Sequence, residues 1–174
     1  MNSAAQPTAP PTAPAVAAPR HMDVYNPQDK GVFAVSSTLV SGPKEAILFD
    51  AQFSVKDGEK LVEMIKASGK TLKAVVITSG DPDFYFGLQL IVDAFPQVKV
   101  VATQNVVDHI VATKDAKLAF WGPQMKDDAP TKIIVPQATQ ETRFSVDGEA
   151  IELKHADDYA AYVWIPANKA ILGG

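Results

Sequence analysis

Residues Thr78–Gly87 read TSGDPDFYFG. They close an apolar, β-branched run, Leu72 to Thr78 (LKAVVIT), and lead into a helical stretch, Tyr85 to Phe95. A β-branched run reads as a strand, and a polar loop at its carboxyl end is where α/β sheets collect ligands. Asp81 and Asp83 stand two residues apart there, beside a helix N-terminus. Two readings of the pair stay open. Hard oxygen donors suit a divalent cation. Carboxylates at that end of a helix also complement its dipole.

Working outward, the same punctuation recurs. Val32 to Val40 reads as a strand, Ser41-Gly42-Pro43-Lys44 as a turn, and Ala46 to Phe49 as a short buried strand ending at Asp50. Val55, Leu61, Val62 and Ile65 share one face of a helix that Ser68-Gly69-Lys70 closes. Pro96 ends the helix after the loop, and Val98 to Ala102 is a fourth strand. Thr103 can cap a helix expected over 105–113. Residues 114–130 read as irregular, with Trp121-Gly122-Pro123 as a breaker. Short strands follow at Ile133 to Val135, Thr142 to Val146, Ala150 to Lys154, Ala161 to Ile165 and Ala170 to Leu172, with Asp147-Gly148 as a hairpin turn. Helices among the early strands and a meander among the late ones predict a layered α/β fold with a mixed sheet.

The composition, 47% hydrophobic and 21% charged, supplies enough apolar surface for one core. Residues 1–21 are rich in Ala and Pro and read as a disordered leader; the domain is expected over 22–174. A net charge of −4 without a basic cluster argues against nucleic acid as a partner. The absence of cysteine excludes disulfides, thiolate zinc sites and cysteine catalysis. No run of about 18 apolar residues offers a membrane span. Ser79 has no Gly-x-Ser-x-Gly frame, so a serine hydrolase has no support. His109, spaced behind Val106 and before Ile110, reads as a surface or half-buried helix residue. Trp121, Tyr85, Phe84 and Phe86 read as core before pocket.

The loop and its flanks resemble the metallo-β-lactamase fold superfamily, whose metal-binding loop reads His-x-His-x-Asp-His after a strand. The four ligand positions fall on Ser79, Asp81, Asp83 and Phe84. A branch of that superfamily with a Gly-Asp-Pro-Asp loop followed by aromatics is similar too. Ala46 to Ala51 resembles its early strand ending in Asp, His155 sits near its next histidine motif, and Tyr162 to Gly174 (YVWIPANKAILGG) resembles the strands leading to a further acidic ligand. The likeness spans about Val24 to Gly174. Serine is a poor zinc ligand and Phe84 ligates nothing, so the resemblance leaves Asp81, Asp83 and His155 as metal candidates.

The resemblance implies an αββα sandwich, incomplete at its C-terminal third. It implies zinc or another divalent metal and a small-molecule substrate. Metal-assisted hydrolysis would have Asp83 orienting the water, with Asp50, Ser79, Phe84 and Tyr85 around the site. With so few ligands, the expectation is a degenerate metal site with weak or no hydrolase activity. An active hydrolase of an ester, lactone, lactam or phosphoester with an Asp-rich site is the alternative, and a non-catalytic binding or interaction module is another. An incomplete sandwich is expected to self-associate through exposed sheet surface. The leader and the resemblance together suggest a periplasmic or secreted protein, a cytoplasmic one otherwise.

Overall fold

The computed structural model describes residues 17–174; most of the expected leader, up to residue 16, lies outside the described residues. Arg20 is already held: its backbone N–H donates to Asn168 Oδ1 at 2.8 Å and its carbonyl accepts from Asn168 Nδ2 at 2.7 Å. Strand β1 (His21–Tyr25) then pairs antiparallel with β2 (Ser37–Ser41), and β2 with β3 (Glu45–Phe49). From β3 onward the neighbours β4 (Thr71–Ile77), β5 (Lys99–Ala102) and β6 (Gln137–Ala138) run parallel. The first sheet is therefore mixed, in the order β1-β2-β3-β4-β5-β6.

Its parallel strands need crossovers. Helix α1 (Val55–Ser68) links β3 to β4, and Ser54 caps it by accepting from the Asp57 N–H at 3.1 Å. Helices α2 (Pro82–Tyr85) and α3 (Leu88–Ala94) link β4 to β5, and α4 (Gln104–Met125) links β5 to β6. The second sheet is an antiparallel meander of β7 (Arg143–Val146), β8 (Glu149–His155), β9 (Ala161–Ile165) and β10 (Ala170–Leu172), in the order β10-β9-β8-β7. Asp147 and Gly148 turn the first hairpin at φ 46 and 83, the left-handed pair that a two-residue turn requires.

Burial follows from the layering. Every residue of β2 is buried, as a strand covered on both faces must be. In β9 only Ala161, Val163 and Ile165 are buried, so that sheet keeps one open face. Leu39, Ile47, Val75 and Ile77 of the first sheet share one apolar cluster with Ile151, Leu153, Val163 and Ile165 of the second. The expected α/β layers with a mixed sheet are present. Among the described residues no α-helix follows α4, and the open face of the second sheet carries no helical layer.

Four local expectations need correction. The strand expected over 32–40 starts at Ser37, because the Val35 carbonyl accepts from the Gln52 side chain at 2.8 Å. The helix expected over 85–95 is broken at Phe86-Gly87. There the Gly87 N–H donates to the Gln52 carbonyl at 2.9 Å, and any Cβ on Gly87 would run into the Ala51 carbonyl. The irregular stretch expected after Thr113 is helix to Met125, with Pro123 inside it. Trp121 meets Phe33 and Phe53 edge-on, both at 5.3 Å, and Phe53 stacks on Phe86 at 5.6 Å. That aromatic packing outweighs the backbone bond Pro123 cannot make, near the helix end. Finally, β6 forms at Gln137–Ala138 and not at 133–135.

Candidate functional site

The parallel pairing of β3 and β4 brings Asp50 and Thr78 side by side at the carboxyl end of the sheet. The Asp50 N–H donates to the Val76 carbonyl at 2.9 Å. Its carboxylate accepts from the Thr78 N–H at Oδ1 and from the Thr78 hydroxyl at Oδ2, each at 2.7 Å. Asp50 is 2% exposed. Burial pushes its carboxyl up to about 7, against the two Thr78 hydrogen bonds that pull it down, and the nearby Asp83 charge adds to the rise.

The backbone after β3 is bent to make this possible. Asp50 and Gln52 have φ of 64 and 68, a region that L-residues with side chains enter only under constraint. The constraint is hydrogen bonding. The Ala51 N–H donates to the Phe84 carbonyl at 2.7 Å, and Gln52 spends both amide hydrogens on the Val35 carbonyl and Ser37 Oγ, at 2.8 and 2.9 Å. Segment 50–52 thus ties the 82–87 loop on one side to the 34–37 wall on the other.

The loop after β4 is held by the second sheet. The Ala161 N–H donates to the Thr78 carbonyl at 2.7 Å, Ser79 bridges Ala160, and the Gly80 N–H donates to the Tyr159 carbonyl at 2.8 Å. Asn105 on α4 donates to the Asp157 and Ala160 carbonyls at 2.7 and 3.1 Å. His109, also on α4, stacks its ring on Tyr159 with centroids 4.8 Å apart. A Cβ on Gly80 would lie 2.6 Å from His109 Cδ2, so only glycine fits beneath that ring.

The sequence candidates fall into different places. Ser79 is buried, its hydroxyl accepting from the Asp81 N–H at 3.3 Å. Asp81 is half-buried, with Lys117 Nζ of α4 at 4.0 Å. Asp83 is half-buried and its carboxyl is raised, chiefly by burial, with Asp81 raising it further and its own backbone N–H and Lys117 pulling it down. Phe84 lines a cleft; Tyr85 is buried, and its hydroxyl has no hydrogen-bond partner among the described residues. His155 is exposed at the end of β8, opposite Ala161. Among the described residues no three His, Cys, Asp or Glu side chains stand together as a metal would need, so Asp81, Asp83 and His155 are not brought into one ligand set. A zinc site takes three or four convergent donors. With Asp50 bonded to Thr78, Asp81 facing an ammonium and phenylalanine at position 84, the residues present do not fit that ion.

The arrangement does provide a cleft of about 480 Å³ beside Asp50, with Val24, Ser36, Thr38, Phe84 and Ile171 among its walls. Chemically it offers a buried carboxyl that titrates near neutrality, two hydroxyls and apolar sides. Gln52 and Asn105 are organising residues that sequence reading passed over; His109, read as a surface or half-buried helix residue, is half-buried on α4 and organises the loop as well. A polar residue in the first two turns of the helix after a parallel strand was the available signal for Asn105 and His109; Gln52 had none.

Comparison with known proteins bears on the same region. A family model described as the metallo-beta-lactamase superfamily matches residues 31–159. Among solved structures, the B3 metallo-beta-lactamase BLEG-1 is similar over 87% of this chain and 70% of its own, with 14% identity and a TM-score of 0.63. A metallo-beta-lactamase from Pontibacter korlensis matches over 88% of this chain and 65% of its own, at 23% identity and TM-score 0.58. A double mutant of the sec-alkyl sulfatase PisA1 matches over 78% of this chain and 27% of its own, at 17% identity and TM-score 0.55. The chain thus spans about two thirds of the lactamases' length and much less of the sulfatase's. Such identities carry the fold alone. No curated protein matches the chain.

Proposed function

The chain belongs to the metallo-β-lactamase superfamily, whose model covers residues 31–159, and from that premise we propose that it is a small-molecule-binding member with a degenerate metal site and weak or absent metal-dependent hydrolase activity. The observation that carries this reading is the donor chemistry of the loop: serine and phenylalanine hold two of the four ligand positions, and Asp81 faces Lys117. Removing imidazole donors removes the softer nitrogen ligands that make zinc binding firm.

Elemental analysis of the purified chain for zinc, manganese and iron tests it. The reading expects less than about 0.1 ion per chain and no rise in Tm on adding metal, since a ligand bound only by the native state must stabilise it. A stoichiometric ion together with hydrolysis of an ester, lactone, lactam or phosphoester would overturn it. That result would establish the second reading, an active hydrolase with an Asp-rich site, which Asp81 and Asp83 at the carboxyl end of the sheet favour. Self-association belongs to the proposal as well: Tyr162 is exposed beside half-buried Trp164 on the open face of the second sheet. So does a periplasmic or secreted location, argued from the Ala/Pro-rich composition of residues 1–21.

A further inference from the structure

The cleft beside Asp50 has a charge pattern that selects its ligand. Among the described residues that line it, Asp50 is the single ionisable side chain. Ser36 and Thr38 contribute hydroxyls, and Val24, Phe84 and Ile171 contribute apolar surface. Val24 is 58% exposed and Phe84 half-buried, so the mouth is greasy while the floor is acidic. Each Asp50 oxygen accepts one hydrogen bond from Thr78 and keeps capacity for another.

Where Asp50 is ionised, an anionic ligand in this cleft would meet a buried carboxylate with no cation among the described lining residues to offset it, an arrangement that low dielectric penalises. A neutral ligand would use the hydroxyls and leave the charge unanswered. A cation answers it with a charge-assisted hydrogen bond, and the aromatic wall at Phe84 also favours cations over anions. The volume, about 480 Å³, falls within the range of small-molecule sites. The floor is also held in place: the strained φ values at Asp50 and Gln52, and the two hydrogen bonds Gln52 spends on Val35 and Ser37, set the carboxylate against the 34–37 wall.

We propose that this cleft binds a small-molecule primary ammonium ion carrying an apolar body, with Asp50 as the counter-charge and Phe84 as the aromatic wall. The inference rests on the binding reading given above and names the ligand class it would take.

Titration of the full chain at about pH 8, where Asp50 is ionised, with n-hexylammonium, n-hexanol and n-hexanoate, followed by calorimetry and ligand-observed NMR, tests it. Hexylammonium should bind at least about tenfold more tightly than either of the others. Asp50→Asn should erase that preference. Equal affinity for the alcohol, or a preference for the carboxylate, overturns the proposal. If circular dichroism shows Asp50→Asn unfolded, Phe84→Ala takes its place: weaker hexylammonium binding in a folded variant supports the assignment, and unchanged binding overturns it by placing the amine elsewhere. Metal content is measured independently. Stoichiometric metal with turnover would end the binding reading whatever the amine does, while loss of amine preference in a metal-free chain would end only this inference.

Discussion

Asp50 spends both carboxylate oxygens on Thr78 inside the protein, and this sets the outcome of its replacement. Asp50→Ala leaves the Thr78 N–H buried without a partner and should cost about 1–3 kcal/mol, measured by urea unfolding. Asp50→Asn can accept from that N–H and donate to the hydroxyl, and should cost much less. The two variants also separate on pH. Burial raises the Asp50 carboxyl from 3.8 to about 7, so the native state binds this proton more tightly than the unfolded chain does. Its contribution to stability is complete below the unfolded value and is lost as pH rises through about 7. The stability of the parent relative to Asp50→Asn should therefore fall between about pH 4 and pH 7 and level off above; a difference flat across that window would refute the assignment. Gly80 makes a second residue-scale case. Gly80→Ala drives a methyl into the His109 ring, and a destabilisation of about 1–3 kcal/mol is expected. Adding His109→Ala should recover part of that loss, a non-additivity that a double-mutant cycle measures.

Among the elements, α4 carries the most consequence. It presents Asn105 and His109 to the site loop at one end, Lys117 to Asp81 in the middle, and Trp121 to Phe33 and Phe53 near the other. Its last turns hold despite Gly122 and Pro123 because Leu118, Trp121 and Met125 pack against the core. Trp121→Ala should cost about 3 kcal/mol and fray the helix from Leu118 onward, visible as lost helical circular dichroism and faster amide exchange in that segment. The strands were more legible than this helix. Ala161–Ile165 and Ala170–Leu172 were readable to the residue, since alternation and a Pro-containing turn are local signals. The extension past Thr113 was not, because Trp-Gly-Pro is a breaker until aromatic partners distant in sequence meet it.

At the scale of the whole molecule, the two sheets bury one face each against the other, and helices cover the far side of the first sheet alone among the described residues. Tyr162 and Trp164 remain on the uncovered side. Concentration-dependent growth of the mass measured by light scattering is expected, and Tyr162→Glu with Trp164→Glu should suppress it without changing the fold; a monomer at every concentration would refute self-association. The order of strands and helices from β2 onward, the mixed sheet and the polar loop after β4 were readable in the chain, because hydrophobic period and turn residues act over a few positions; β1 was not. The resemblance to the superfamily's loop added the missing imidazoles at Ser79 and Phe84. The cleft, the Gln52 clamp and the His109–Tyr159 stack were not readable. They join residues that strand order and crossovers bring together from opposite ends of the chain, and no pattern within a short window records which distant backbone will lie alongside.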